Sequence, residues 1–341
     1  MLYFNCDYNE GAHERILERL MQTNREQTEG YGEDAYCERA RELIRAYCEA
    51  PDADVHFLVG GTQANLTVIS AALRPHQGVI AAQTAHIHVH ETGAVEACGH
   101  KVLALPSENG KLTARQVSDC HMAHRMDESF EHMVQPKLVY ISNPTELGTI
   151  YSRDELIALS DICRKNHLYL FMDGARLGYG LAAEDNTLTM EEIVGLCDVF
   201  TIGGTKVGAL FGEAVVITHP ELKTDFRYLI KQKGGMLAKG RLLGIQFQAL
   251  FEDGLYMELA RHADRLADKL REAFGNAGYP FLIESRTNQI FPIMPDEKLG
   301  ALKEKYSFSY QQRVDETHSA VRFCTSWATK EEAVEELIGD L

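Results

Sequence analysis

Two short apolar runs constrain this chain more than anything else in it. Leu168-Tyr169-Leu170-Phe171-Met172 stops at Asp173-Gly174-Ala175-Arg176, and Val199-Phe200-Thr201-Ile202 stops at Gly203-Gly204-Thr205-Lys206. Short runs of this kind, closed by glycine, read as buried strands ending where the backbone must turn sharply or admit a ligand. A crossover between them makes a βαβ unit, which delivers Asp173 and Lys206 to the same carboxyl edge of a parallel sheet. Lys206, boxed between glycines and apolar residues, sits where desolvation can lower an amine's pKa and make it a nucleophile toward a carbonyl carbon. The plain alternative is a solvated turn lysine.

Other stretches sharpen the chemistry. An acid beside a basic ring nitrogen, a cation for a phenolate and a lysine for an imine are the requirements of pyridoxal phosphate (PLP), and Asp173, Arg176 and Lys206 supply those three types. Upstream, Val55-His56-Phe57-Leu58-Val59 runs into Gly60-Gly61-Thr62-Gln63-Ala64-Asn65 and an apolar helix through Leu73. Strand, glycine turn and helix start aim free N–H groups and a helix dipole at an anion, although a tight turn alone explains the glycines. The motif is neither GxGxxG nor a Walker loop, which disfavours dinucleotides and nucleoside triphosphates. Glu146, after the strand Leu138–Ile141, falls at the same ligand-binding edge or is a solvated turn carboxylate. Arg322, inside Val321-Arg322-Phe323, either pairs internally or grips a ligand carboxylate, because an unpaired charge is costly there. His86-Ile87-His88-Val89-His90-Glu91 raises a competing reading. If this stretch is a strand, His86, His88 and His90 share one face and could ligate zinc or iron in a metal-binding protein or hydrolase.

Further runs at Val79–Ala82, Val102–Leu105 and Val215–Ile217 alternate with helical patterns such as Arg153–Asn166, implying a mainly parallel sheet covered on both faces. A long helical stretch is expected from about Met236 to Phe274, then strands at Phe281–Ile283, Gln289–Phe291 and Val321–Phe323 and a closing helix from Lys330. The fold class is therefore α/β, with an arm and large domain over 1–253 and a smaller α+β C-terminal domain over 254–341. A net charge of −16 with no clustered Lys and Arg argues against nucleic acid. No run approaches the ~18 apolar residues of a membrane span, and Met1–Asp7 lacks the basic and apolar regions of a signal peptide. Eight cysteines without a CxxC pair read as buried thiols in a reducing cytoplasm.

Taken in order, Tyr31-Gly32-Glu33-Asp34, Gly61-Thr62-Gln63-Ala64-Asn65, Ala85-His86 with Glu91 and Gly93, Asp173-Gly174-Ala175-Arg176-Leu177, Gly204-Thr205-Lys206 and Gly234-Gly235-Met236 resemble the L-threonine aldolases. These are β-eliminating lyases of PLP fold type I, and the likeness runs from the arm to about Leu250. It implies cleavage of L-threonine or L-allo-threonine to glycine and an aldehyde. By that resemblance Lys206 would carry PLP as a Schiff base, Asp173 would pair with the ring nitrogen, and Gly61, Thr62 and Gln63 would bind the phosphate end. His86 would stack on the ring, near the substrate hydroxyl. Arg176 would lie near the ring oxygen and the substrate carboxylate, which Arg322 would hold. Tyr31 would reach in from a neighbouring subunit of a homodimer or homotetramer with shared sites, and no metal is implied. Two departures stand out: Cys6 occupies a position on the substrate-binding arm where the family often has a small hydroxyl residue, and Glu146 stands where some members carry a second histidine. His86 and Glu146 are thus both candidates for the base. Another PLP lyase or an aminotransferase would use much the same residues on a different bond.

Overall fold

The computed structural model describes residues 1–341. After a two-residue strand β1 (Leu2–Tyr3) come β2 (Asp54–Leu58), β3 (Gln77–Ala82), β4 (Lys101–Leu105), β5 (Gln135–Ser142), β6 (Tyr169–Asp173), β7 (Val199–Gly203) and β8 (Glu213–Ile217). The last seven form one sheet in the order β2-β8-β7-β6-β5-β3-β4. Every pair from β7 to β4 is parallel, whereas β8 runs antiparallel to both β2 and β7. The reversal has a functional consequence: the first residue of β8, Glu213, pairs with Leu58 and Gly203, the last residues of β2 and β7.

Strands β3, β7 and β8 are buried at every residue, because helices cover both sheet faces and leave no position for alternating polar residues. The helix Gly61–Ala72 lies across β2, β5, β6, β7 and β8. The crossover helix Arg153–Lys165 begins in a reciprocal cap between Ser152 and Glu155 and buries Leu156, Leu159 and Cys163, so both its start and its inward face follow from local sequence.

Three expectations change. The long helix breaks at 252–254, where Asp253 and Gly254 take φ of 54° and 74°, and becomes Arg241–Phe251 and Leu255–Asn276. Phe281–Ile283 makes only an isolated bridge to Pro292. His86–Val89 is a helical turn. At about 100° per residue the three imidazoles do not share a face; His88 and His90 are exposed, the His90 ring lying 5.7 Å from that of His86, and no three His, Cys, Asp or Glu side chains are grouped to hold a metal. The metal reading fails on that geometry.

Beyond Gly254, β9 (Gln289–Ile290), β10 (Ile293–Pro295), β11 (Tyr306–Ser307), β12 (Ser309–Arg313) and β13 (His318–Cys324) follow. β13 pairs antiparallel with β9, β10 and β12. Helix Leu255–Asn276 packs its first turns into the apolar core of the large sheet and its later residues Leu266, Leu270 and Phe274 into a second core with Ile290, Val321 and Phe323. The first residues of the chain join that second unit, since β1 pairs with β11 and Phe4 is in its core.

Candidate active site

The carboxyl edge of the sheet opens into a cavity of about 320 Å³, whose wall includes Gly60, Gly61, Thr62, Asp173, Lys206 and Glu213. Strand ends β6 and β7 approach closely here. A side chain at Gly174 would put its Cβ 2.0 Å from the Thr201 carbonyl oxygen, and one at Gly203 would lie 2.3 Å from that of Ala175. Glycine at both places lets the two turns pack together, which brings Asp173 and Lys206 to one hollow.

Asp173 is 5% exposed. Its Oδ2 accepts hydrogen bonds from Asn65 Nδ2 at 2.8 Å and Tyr140 Oη at 2.6 Å, and its Oδ1 accepts from the Ala175 N–H at 2.9 Å. These bonds hold the carboxylate still, and Asp173 forms no ion pair with any Lys or Arg of the chain. A carboxylate in that state is complementary to a cationic partner arriving in the cavity. Asn65 also donates to Glu91 Oε1 at 2.8 Å, and the same oxygen lies 2.8 Å from His86 Nδ1. A continuous polar chain therefore links His86 on one wall to Asp173 on the floor.

Lys206 lies in the turn after β7, its carbonyl accepting from the buried Tyr179 hydroxyl. Burial, then the Arg176 guanidinium, lowers its pKa, against the opposing pull of Asp7, Glu213 and Asp173. That favours a neutral, nucleophilic amine. Glu213 is 4% exposed, its Oε2 has no partner, and burial pushes its pKa well up.

Gly60 caps the helix Gly61–Ala72 with backbone alone, so the N–H groups of its first turn remain available to an anion. A Cβ built at Gly60 or Gly61 would meet nothing within 4 Å, which marks open space above that turn. Gln63 does not line the cavity: its side chain accepts from the Val59 N–H at 3.3 Å and donates to the Lys233 carbonyl at 3.1 Å, fastening the turn. What Gln63 leaves for an anion is its backbone N–H in the first turn of the helix.

Glu146 accepts from the His86 N–H at 2.8 Å and from Ser142 Oγ at 2.7 Å. Burial raises its pKa, and these two donors oppose the rise, so it holds a proton more readily than a surface glutamate. His86 lines the same wall. A second recess of about 630 Å³ shares Tyr8, His86, Glu146, Arg176 and Lys206 with the first and adds Arg322.

The two arginines differ. Arg176 forms a bidentate pair with buried Asp7, Nε to Oδ2 at 2.7 Å and Nη2 to Oδ1 at 3.0 Å, so one edge of its guanidinium is occupied. Arg176 nonetheless lines both recesses, with Nη1 outside that pair. Arg322 has no ion pair: Nη2 donates to the Asn5 carbonyl at 3.1 Å, Nη1 lies 3.4 Å from Gln289 Oε1, and Nε is unpartnered.

Cys6 is buried, its Sγ bonded to Asn9 Oδ1 at 3.2 Å, and lies outside both recesses; the arm instead contributes Tyr8 to the wall and Asp7 to Arg176. Tyr31 also lies outside this chain's own cavity. It is half exposed, with φ of 59° and the Lys231 ammonium 5.1 Å from its ring centroid. Sequence reasoning missed Asp7, Tyr8, Asn65, Tyr140, Glu91 and Glu213 as site residues. Asn65, Tyr140 and Glu213 carried a usable signal, a polar group within or opening an apolar run; nothing local distinguishes Asp7.

A profile of the beta-eliminating lyases matches residues 9–297. The chain is 32% identical over 345 aligned positions to a low-specificity L-threonine aldolase of a Pseudomonas strain, covering 99% of this chain and 96% of that one. A threonine aldolase structure from Leishmania major superposes with a TM-score of 0.97 at 43% identity, covering 99% and 98% of the two chains. An aspartate aminotransferase of Thermus thermophilus has the same fold, with a TM-score of 0.71 at 14% identity over 100% and 90% of the chains.

Proposed function

The chain belongs to the beta-eliminating lyase family of fold-type I, PLP-dependent enzymes, and from that premise we propose how its cavity cleaves β-hydroxy-α-amino acids. The reaction is retro-aldol scission of the Cα–Cβ bond of L-threonine or L-allo-threonine, giving glycine and acetaldehyde. The observation that carries the assignment is Asp173, a buried carboxylate held by three donors, without a cation, on the same sheet edge as the desolvated amine Lys206.

The residues fit PLP. Asp173 would pair with the ring nitrogen, the first turn at Gly61 and Thr62 would hold the phosphate, and Lys206 would hold the aldehyde carbon. Bound PLP supplies an aldehyde for the amine and an electron sink for the bond being broken. Asp173 keeps a proton on the ring nitrogen, and the hydrogen bonds from Tyr140 and Asn65 keep that carboxylate in place. Arg322, which lines the second recess and has no carboxylate partner within the chain, binds the substrate carboxylate. Glu146, next to His86, takes the proton of the β-hydroxyl as the aldehyde leaves, its raised pKa bringing it closer to working pH. His86, steadied through Nδ1 by Glu91, forms the wall above the reacting centre.

Purified protein supplied with PLP and L-threonine or L-allo-threonine should yield equimolar glycine and acetaldehyde. Ammonia with a keto acid, in place of glycine, would favour a different lyase or an aminotransferase and overturn this reading. An assembly of two or four chains with shared sites is supported by exposed Tyr31, which its own cavity does not use. A cytoplasmic setting is supported by eight free thiols; no helix is long and apolar enough to cross a membrane. Division into 1–253 and 254–341 is supported by the two apolar cores and the helix break at Gly254, with the first residues of the arm crossing to the second unit.

A further inference from the structure

The opposite, amino edge of the sheet holds a cavity of about 610 Å³ between the starts of β3, β5 and β6 and the helix Ala114–Met126. Its electrostatics run against those of the molecule. The chain carries a net charge of −16, yet the wall presents Arg74, Arg125 and Lys137 against one carboxylate, Glu221. That carboxylate is already engaged by the Tyr169 hydroxyl at 2.5 Å. Neither Arg74 nor Arg125 has an ion pair or a side-chain hydrogen bond within the chain.

Two imidazoles complete the wall. His121 and His124 are 8% and 5% exposed, and both ring nitrogens of His121 and Nε2 of His124 have no partner. These nitrogens are closed off from solvent as well as unpartnered, so the rings form the packed floor of the hollow, and what its free cations lack is a ligand. Its sign is set by the neighbours: two guanidiniums repel a metal cation and attract an anion. The geometry of the wall is also braced, because Lys137 Nζ donates to the His167 carbonyl at 2.5 Å and lies 4.5 Å from the Tyr169 ring centroid, while His124 packs edge-on against Phe130.

We propose that this cavity is a binding site for a phosphate group, carried by inorganic phosphate or by a small phosphate monoester. Two unpaired guanidinium forks beside the Lys137 ammonium suit a tetrahedral dianion with three or four acceptor oxygens better than a planar carboxylate with two. The volume exceeds that of phosphate alone, and Phe130, 45% exposed at the rim, offers an apolar face to an organic remainder. The site is separate from the cradle at Gly61, which lies at the other end of the strands.

The test uses PLP-saturated enzyme, so that the catalytic phosphate cradle is filled, with visible absorbance followed to verify that PLP stays bound. Calorimetric titrations at constant ionic strength compare inorganic phosphate, ribose 5-phosphate and succinate. Saturable binding of either phosphate at one site per chain is expected, weakened about tenfold or more by the double variant Arg74→Ala/Arg125→Ala. Both arginines are exposed, so their removal leaves the core intact. Tighter binding of ribose 5-phosphate identifies a monoester as the ligand, and tighter binding of inorganic phosphate identifies the free ion; each supports the site. No saturable binding up to about 10 mM, equal affinity for succinate, or an unchanged affinity in the double variant would overturn it.

Discussion

Replacing Asp7 with asparagine isolates the ion pair that ties the arm to the active site. Asp7 is fully buried, and its two oxygens accept from Arg176 Nε and Nη2 and from Asn288 Nδ2. The amide would keep the volume but remove the charge, leaving the buried Arg176 guanidinium uncompensated. Breaking one side of such a pair costs about 3–5 kcal/mol. With a urea m value of about 3 kcal/mol/M for a chain of this size, the midpoint of unfolding of the cofactor-free protein should fall by about 1–1.7 M at pH 8. The pH dependence gives an independent check. Burial alone would raise the Asp7 pKa, but Arg176, Lys206 and Asn288 outweigh it and hold the carboxyl below its ordinary 3.8. A group whose folded pKa is depressed contributes stability that is present above its unfolded pKa and is lost as pH falls through the folded one. The gap between wild type and Asp7→Asn should therefore be widest at neutral pH and close as pH falls below the ordinary carboxylate value. A loss under about 1 kcal/mol at pH 8, or a gap that does not narrow in acid, would refute the argument.

Lys206→Ala should remove both turnover and the visible absorbance of bound PLP, read by spectrophotometry; a retained spectrum would show that another amine holds the cofactor. Arg322→Leu should raise KM for L-threonine by about a hundredfold, as expected for losing a charge-assisted fork of roughly 3 kcal/mol, with a smaller fall in kcat. In a pH series of kcat/KM, activity should fall on the acid side as Glu146 gains its proton, with the limb displaced above the ordinary glutamate value of 4.5. That limb should be absent from the residual activity of Glu146→Gln, and its persistence there would refute Glu146 as the base.

Local pattern carried a good deal of this molecule. The seven strands of the large sheet, the crossover helix opened by Ser152 and Glu155, and the meeting of Asp173 with Lys206 all follow from runs of apolar residues stopped by glycine or polar turns, because strand burial and sharp turns are short-range consequences of composition. What needed the tertiary fold was pairing between residues far apart in the chain. Asp7 reaches Arg176, Asn65 and Tyr140 converge on Asp173, and Gln63 turns away to the Lys233 carbonyl. The reversal of β8, which sets Glu213 beside Leu58 and Gly203, is invisible in a run of apolar residues that reads the same in either direction. His86 shows the same limit at short range. Alternating polarity suggested a strand, but the segment makes no ladder with a neighbour and closes instead into a helical turn, which points His86 at Glu91. Periodicity decides what a segment buries; only the assembled chain decides which charges it meets.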